Sequence, residues 1–203
     1  METGHSALYA LLDLRNRQPD QAGRDRVDEQ IRERFGARRA ILIGDMSGFS
    51  KRTKAHGILH FLSVIRRMHG LLQPVLERHG QLTKWEADNL YASFDHPSIA
   101  LTATVELHQV CRAHNLQRAP EEHIVMSFGI GWGDVLDLDG HDYYGDEVNL
   151  ASKLGEDIAS RGQTLLTAAA VADAEVPGGH FLEQHSVRIS GLELPYFSLE
   201  VIR

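Results

Sequence analysis

The sequence predicts an α+β fold with a ferredoxin-like βαββαβ core. Three observations carry this. From about Arg39, short β-favouring runs and long stretches of helical period follow one another as strand, helix, strand, strand, helix, strand. The second and third strands, Gln81 to Trp85 and Leu90 to Phe94, flank Glu86-Ala87-Asp88-Asn89, the spacing of a tight hairpin. The two long helical stretches each carry one apolar face, which suits helices laid on one side of a mainly antiparallel sheet.

The elements follow in order. Residues 1–37 read as a helical appendage to a domain spanning 38–203. Ala7 to Leu14 are mostly apolar, Arg15 to Arg26 are polar with Pro19 and Gly23, and Val27, Ile31 and Phe35 recur every four residues. Two short helices joined by a loop satisfy this pattern, packed as an ordinary appendage. Ile41-Leu42-Ile43 form a short buried strand. Ile58, Phe61, Leu62, Ile65, Met68, Leu72, Val75 and Leu76 then mark a long helix. Pro74 should kink or shorten it, and Gly80 should stop it. After the hairpin, Pro97 opens a second helix with Ile99, Ala103, Leu107, Val110 and Cys111 on its apolar side. Ile124 to Ile130 is a strand, which Gly131-Trp132-Gly133-Asp134 should turn so that Val135 to Leu138 returns. Asp139 to Asp142 form a polar loop. A third helix starts near Gly145, with Val148, Ala151, Leu154 and Ile158 on one face. Short strands at 164–166, 181–183, 187–189 and 196–201, and a short helix at 168–174, complete the domain.

Composition bounds the function. The 203 residues suffice for one domain with a sizeable core, at 42% hydrophobic and 24% charged. A net charge of −7 leaves no broad basic footprint, so nucleic acid is not an expected partner. The single cysteine, Cys111, excludes an internal disulfide and reads as a small core residue of a protein in a reducing compartment. No apolar run reaches the roughly 20 residues of a membrane helix, and the amino terminus lacks a signal-peptide layout. The expectation is a cytoplasmic protein that does not touch the membrane.

The stretch with the most chemistry is Ile43-Gly44-Asp45-Met46-Ser47-Gly48-Phe49-Ser50. It places Asp45 at the carboxyl end of a core strand. The amides of Gly48, Phe49 and Ser50 follow, free to face an anion before a helix. A hard oxygen ligand beside a phosphate-sized nest suits a divalent metal and a nucleoside triphosphate. In a ferredoxin-like sheet the first strand neighbours the hairpin, so Asp45 and Asp88 should meet at one edge. Two carboxylates there repel one another, and shared cations resolve the repulsion.

Four segments in this order resemble the class III nucleotidyl cyclases: 41–50, Lys84-Trp85-Glu86-Ala87-Asp88, Phe128-Gly129-Ile130-Gly131-Trp132-Gly133-Asp134-Val135, and Asp142 through Leu154. Each segment alone has an ordinary structural use; their joint order and spacing carry the resemblance, which runs from about Arg39 to the carboxyl terminus. It implies the class III cyclase type of fold. It also implies conversion of a nucleoside triphosphate, ATP first among them, to the 3′,5′-cyclic monophosphate and pyrophosphate, in a head-to-tail homodimer. The resemblance assigns two Mg²⁺ or Mn²⁺ ions to Asp45 and Asp88, with the Met46 carbonyl as a further ligand. It assigns adenine reading to Lys84 and Asp142, ribose orientation to Asn149, and a phosphate contact in the transition state to Lys153.

This sequence departs from the family pattern at three phosphate-side or metal-side positions. Lys153 stands where arginine is usual, which keeps the charge and loses the two-pronged geometry. Ala87 and Asn89 flank Asp88 in place of glycines. Ser190-Gly191 stands where a lysine often precedes the glycine. These departures motivate a second reading, a nucleotide-binding pseudo-cyclase with little turnover. Trp85 and the Tyr143-Tyr144 pair motivate a third, a base pocket narrowed for cytidylate or uridylate. Pyrimidine cyclases of bacterial antiphage signalling belong to the same family.

Overall fold

In a computed structural model, residues 3–48, 54–189 and 191–202 are described. Phe49, Ser50 and Ser190 lie outside them. Two helices come first, α1 (Gly4–Asn16) and α2 (Gln21–Phe35). The Thr3 and Asp20 side chains accept from the Ser6 and Gly23 amides and cap them. The central strand β1 (Gly36–Met46) follows α2 directly and begins earlier than the Ile41 start read from the apolar run. Then come α3 (Ile58–His79), β2 (Gln81–Glu86), β3 (Asn89–Phe94), α4 (Pro97–Asn115) and β4 (Met126–Asp137). The two-residue strand β5 (Tyr143–Tyr144) precedes α5 (Asp146–Ser152), which continues as a π-helical segment (Lys153–Ile158). β6 (Thr164–Thr167), α6 (Ala168–Asp173), β7 (His180–Ile189) and β8 (Leu192–Val201) complete the chain.

The sheet runs β2-β3-β1-β4-β6-β8-β7, with β5 paired to β4. Its first four strands alternate in direction, in the order of a ferredoxin-like βαββαβ unit. Among the described residues, only β4 and β6 pair in parallel. Residues 40–43 of β1 are buried on both faces. Leu42 and Met46 join Phe61, Met68, Leu72 and Leu101 of α3 and α4 on one side. Ile41 and Ile43 meet Val135, Tyr143 and Ala151 on the other. The third helix therefore covers the opposite face, which the one-sided expectation did not include.

Two punctuation signals misled the sequence reading. Pro74 lies inside α3, and the 22-residue helix runs on to His79. Leu72, Val75 and Leu76 around it are buried, and burial of three large side chains outweighs a proline penalty of about 3 kcal/mol. Gly131-Trp132-Gly133-Asp134 is no turn, because β4 passes straight through it and pairs with β1 from Gly36↔Leu136 to Met46↔Met126. The glycines serve close approach instead. A Cβ at Gly131 would lie 2.3 Å from the Glu147 carbonyl oxygen, and one at Gly129 2.0 Å from that of Ala151. Bare backbone here lets α5 settle on the sheet. Likewise 181–183 and 187–189 belong to one strand, β7, paired along its whole length with β8.

The amino-terminal helices bury a small core of their own. Ala7, Leu8, Val27, Ile31 and Phe35 pack together with Leu138, at the far end of β4. Arg15 clasps Asp28 through Nε at 2.5 Å and Nη2 at 3.1 Å, tying α1 to α2. Cys111 is buried, as expected of a core residue, and burial pushes its thiol up to about 12. Among the described residues, no helix is long and apolar enough to cross a membrane.

Candidate active site

Asp45 ends its strand one residue short of Met46 and stands opposite Asn89 in the β1–β3 ladder. Asp88 precedes Asn89 in the two-residue turn between β2 and β3, so the hairpin carries it beside Asp45. Both carboxyls are half-buried. Burial first, then the charges of Asp88 and Glu156, push Asp45 up to about 6. Burial likewise raises Asp88. Asn89 Oδ1 is buried with no hydrogen-bond partner. Two half-buried carboxyls and the unpartnered Asn89 carbonyl oxygen are hard oxygen donors of the kind a divalent cation takes. Among the described residues no group of three or more His, Cys, Asp or Glu side chains is arranged to hold a metal by itself. Met46, the neighbour, is a buried core residue.

The turn has its own tension. Ala87 sits at φ +53°, a region that favours glycine. Gly48, two residues beyond Met46, takes φ +94°, as its freedom suggested. It lines a cavity of about 650 Å³ together with Ser47, His56, His123 and Arg161. The rest of the proposed phosphate nest, Phe49 and Ser50, lies outside the described residues.

A second cluster forms on the other side of the sheet from α3 and α4. Lys84, Asp142 and Asn149 line one cavity of about 270 Å³, with Tyr91, Tyr143 and Tyr144. Lys84 Nζ lies 3.4 Å from Asp142 Oδ1 and 4.9 Å from the Tyr91 ring centre. Asp142 is held tightly. Burial opposes its charge, but the Tyr143 amide, His5 and Lys84 together keep its carboxyl below the usual range. A sharp loop presents it: Asp139 at φ +56°, Gly140 at φ +71°, and the Gly140 amide donating to Asp137 Oδ1 at 2.7 Å. Trp85 is absent from this cavity. It alternates to the opposite face of β2 and stacks on His69 of α3 at 4.1 Å. It therefore cannot narrow this cavity, though Tyr143 and Tyr144 do line it.

Lys153 does not line that cavity. It sits one helical turn beyond Asn149, exposed, and pairs with Asp157 at 2.5 Å. Asp45 and Asp88 do not line that cavity either; Tyr91 and Glu156 lie between the two sets of residues.

Sequence reasoning missed Glu156. Its Oε1 accepts from Asn89 Nδ2 at 2.9 Å and from the Tyr91 hydroxyl at 3.1 Å, and its Oε2 from the Ser152 hydroxyl at 2.5 Å. It thus ties the π segment to the Asp88 hairpin. The sequence signal was one glutamate in a helical run, and the π turn, a register shift often found at functional sites, rotates it off the expected face. His5, which reaches Asp142 at 3.3 Å, was missed as well.

The fold has close parallels among solved structures. An adenylate/guanylate cyclase/hydrolase from Silicibacter pomeroyi matches at 25% identity and TM-score 0.66, over 83% of this chain and 98% of that one. The adenylyl cyclase CyaB of P. aeruginosa matches at 14% identity and TM-score 0.68, over 83% and 96%. The catalytic core of a rhodopsin-guanylyl cyclase with converted specificity, in complex with ATPalphaS, matches at 12% identity and TM-score 0.69, over 82% and 98%. The chain has the fold of class III nucleotidyl cyclase catalytic domains. That likeness supports nucleotidyl cyclase as the general class. No protein-family model matches the chain. An uncharacterized protein of Mycobacterium tuberculosis is 37% identical over 82 residues, a match spanning 40% of this chain and 29% of that protein.

Proposed function

We propose that the protein is a nucleotidyl cyclase, taking a nucleoside triphosphate, ATP first, to its 3′,5′-cyclic monophosphate and pyrophosphate. The observation that carries this is the cavity where Lys84, Asp142 and Asn149 converge from β2, the loop after β4, and α5. Three residues named from two separate motifs meet there as a donor, an acceptor and an amide. Lys84 donates to a ring acceptor of the base and Asp142 accepts from its amino group. A wrong base leaves both groups unpaired, which is the strongest form of polar discrimination. Asn149 sits one turn before Lys153 on an exposed helix face, suited to ribose and phosphate.

Asp45 and Asp88 are the residues that would hold two Mg²⁺ or Mn²⁺ ions. When bound, such ions supply Lewis-acid stabilisation of the phosphates and favour ionisation of the ribose 3′-hydroxyl. In the reaction the 3′ oxygen bonds to the α-phosphorus, and the bond to the leaving pyrophosphate breaks. Lys153 places a positive charge near that leaving group. Asp45 and Asp88 do not line the cavity that holds Lys84, Asp142 and Asn149, which is compatible with a head-to-tail homodimer whose sites draw one group from each protomer. Ile58, Leu59 and Leu62 at the start of α3 are exposed apolar side chains that association would cover.

The test is product formation from ATP, GTP, CTP and UTP in separate reactions with Mn²⁺, comparing wild type with Asp45→Ala. Cyclic AMP that disappears in the variant supports the proposal. A cyclic pyrimidine product keeps the metal assignment, reverses the base assignment and points to Tyr143 and Tyr144. No product from any nucleotide overturns turnover and leaves the pseudo-cyclase.

A further inference from the structure

The amino-terminal helical hairpin reaches the base cavity. Its small core closes on Leu138, four residues before Asp142. Gly4 is so near the intervening loop that a Cβ there would lie 2.8 Å from Asp139 Oδ2 and 3.2 Å from Leu138 Cβ. From this position His5 Nε2 lies 3.3 Å from Asp142 Oδ2. Its ring also meets those of Tyr9 and Tyr144 edge-on, with centres 6.3 and 6.5 Å away.

The partners of Asp142 divide cleanly. Oδ1 accepts from Lys84 Nζ at 3.4 Å and from the Tyr143 amide at 3.0 Å. Oδ2 accepts from His5 and from the Tyr144 hydroxyl, the latter at 3.4 Å. With four donors around it, the carboxylate has every lone pair used. A base donor must therefore displace one of them. The amide is fixed in the chain and Lys84 is itself a base reader. Tyr144 is 41% exposed and holds Asp142 only at 3.4 Å. The His5 side chain is 39% exposed, but its backbone sits in a capped helix that Arg15 clasps to α2 and its ring packs edge-on against Tyr9 and Tyr144, so of the two Tyr144 is the partner assigned to give way.

We propose that α1 is a working part of the base site, and that His5 is the positioning residue that fixes the Asp142 carboxylate for base reading. This rests on the assignment of Lys84 and Asp142 as the base-reading pair. His5 touches no substrate in this arrangement. It sets which oxygen of Asp142 faces the cavity, and Tyr144 keeps the place that the amino group of a base takes. Residues 3–16 thereby contribute to specificity rather than to packing alone.

The experiment uses the full chain and reads equilibrium binding, which needs no turnover. A fluorescent ribose-labelled ATP is displaced by ATP, GTP, CTP and UTP for wild type, His5→Ala, His5→Gln and Lys84→Ala, with urea denaturation run in parallel. His5→Ala should weaken the preferred nucleotide about tenfold while the poorer ones change by less than about twofold, so the preference compresses. His5→Gln, which keeps a side-chain donor, should recover most of it. The urea midpoint should stay near wild type, because His5 is not in the small core. An unchanged preference in His5→Ala, with Lys84→Ala flattening it, overturns the role of His5 alone. If Lys84→Ala also leaves the preference unchanged, or wild type has none, the base-reading assignment fails and this inference fails with it. Equal weakening of all four nucleotides with a lowered urea midpoint shows a structural role only, and overturns it too.

Discussion

Lys84 Nζ lies 3.4 Å from Asp142 Oδ1, though 58 residues separate them along the chain. One comes from the strand before the hairpin turn and the other from the loop after β4, on the same side of the sheet as α5. Neither is deeply buried, so the pair adds little to stability. Its consequence is orientation: it aims an ammonium and a carboxylate into one cavity. If the two read a base together, their effects cannot be independent. Lys84→Ala and Asp142→Asn should each lower kcat/KM for the preferred nucleotide about 100-fold. The double variant should be little worse than either single one. Steady-state kinetics of all four proteins measures this, and additive losses would show that they act separately.

Asp45 predicts an opposition between stability and activity. Its carboxyl is pushed from 3.8 to about 6 by burial and by the charges of Asp88 and Glu156. On raising the pH, the unfolded chain gives up this proton first. The contribution of Asp45 therefore declines between about pH 4 and 6 and is level above that. Asp45→Asn should abolish cyclisation and yet raise Tm at pH 7.5. Allowing for solvent screening, the gain is about 1 kcal/mol, or roughly 2–4 °C. Saturating Mn²⁺ should stabilise the wild type and not the variant. Differential scanning calorimetry with and without the metal reads both effects.

Glu156 is the second lever at this corner. Glu156→Ala leaves Asn89, Tyr91 and Ser152 without their shared acceptor and should cost about 2 kcal/mol in urea denaturation. Glu156→Gln keeps an oxygen for the Asn89 and Tyr91 donors and should cost less. It also removes one of the charges that raise Asp45. The carboxyl signal of Asp45 in ¹³C NMR should then titrate at a lower pH than in the wild type, with Glu156→Gln unchanged from wild type counting against the electrostatic link.

Ala87→Gly should stabilise. The residue is in the left-handed region at φ +53°, where a Cβ costs about 1 kcal/mol or more. Against this stands the larger unfolded-state entropy of glycine, so the net gain is about 0.5 kcal/mol. The urea midpoint should move up with the slope unchanged.

Lys153→Arg tests the phosphate side. Arginine offers two parallel donors where lysine offers a point charge, and it can keep the contact to Asp157. If Lys153 steadies the leaving pyrophosphate, kcat should rise about three- to tenfold with KM nearly constant. A fall in kcat would show that this chain has adapted its site to lysine.

Local and periodic properties were legible in the sequence. The hairpin, the helix starts at Pro97 and near Gly145, the apolar face of Val27, Ile31 and Phe35, and the meeting of Asp45 with Asp88 all follow from side-chain period and strand order. These signals are carried by residues a few places apart. Where a residue's role depends on which distant segment packs against it, and neither strand order nor a motif announces that segment, the reading failed. Gly131 and Gly133 look like a turn until α5 is seen lying on them, and Pro74 looks like a break until its flanks are seen in the core. Trp85 belongs to the other face of β2 from Lys84, so it stacks on His69 rather than on a base. The π turn after Ser152 shifts helical phase, and no period of 3.6 anticipates where Glu156 then points. His5 meets Asp142 across 137 positions, because α2 runs straight into β1 and folds α1 back onto the end of β4. The sequence by itself determined the fold class, the βαββαβ order of the core and the candidate residues Asp45, Asp88, Lys84, Asp142 and Asn149. Tertiary structure alone decided which of those groups share a cavity, because that depends on packing between segments whose separation along the chain carries no local signal.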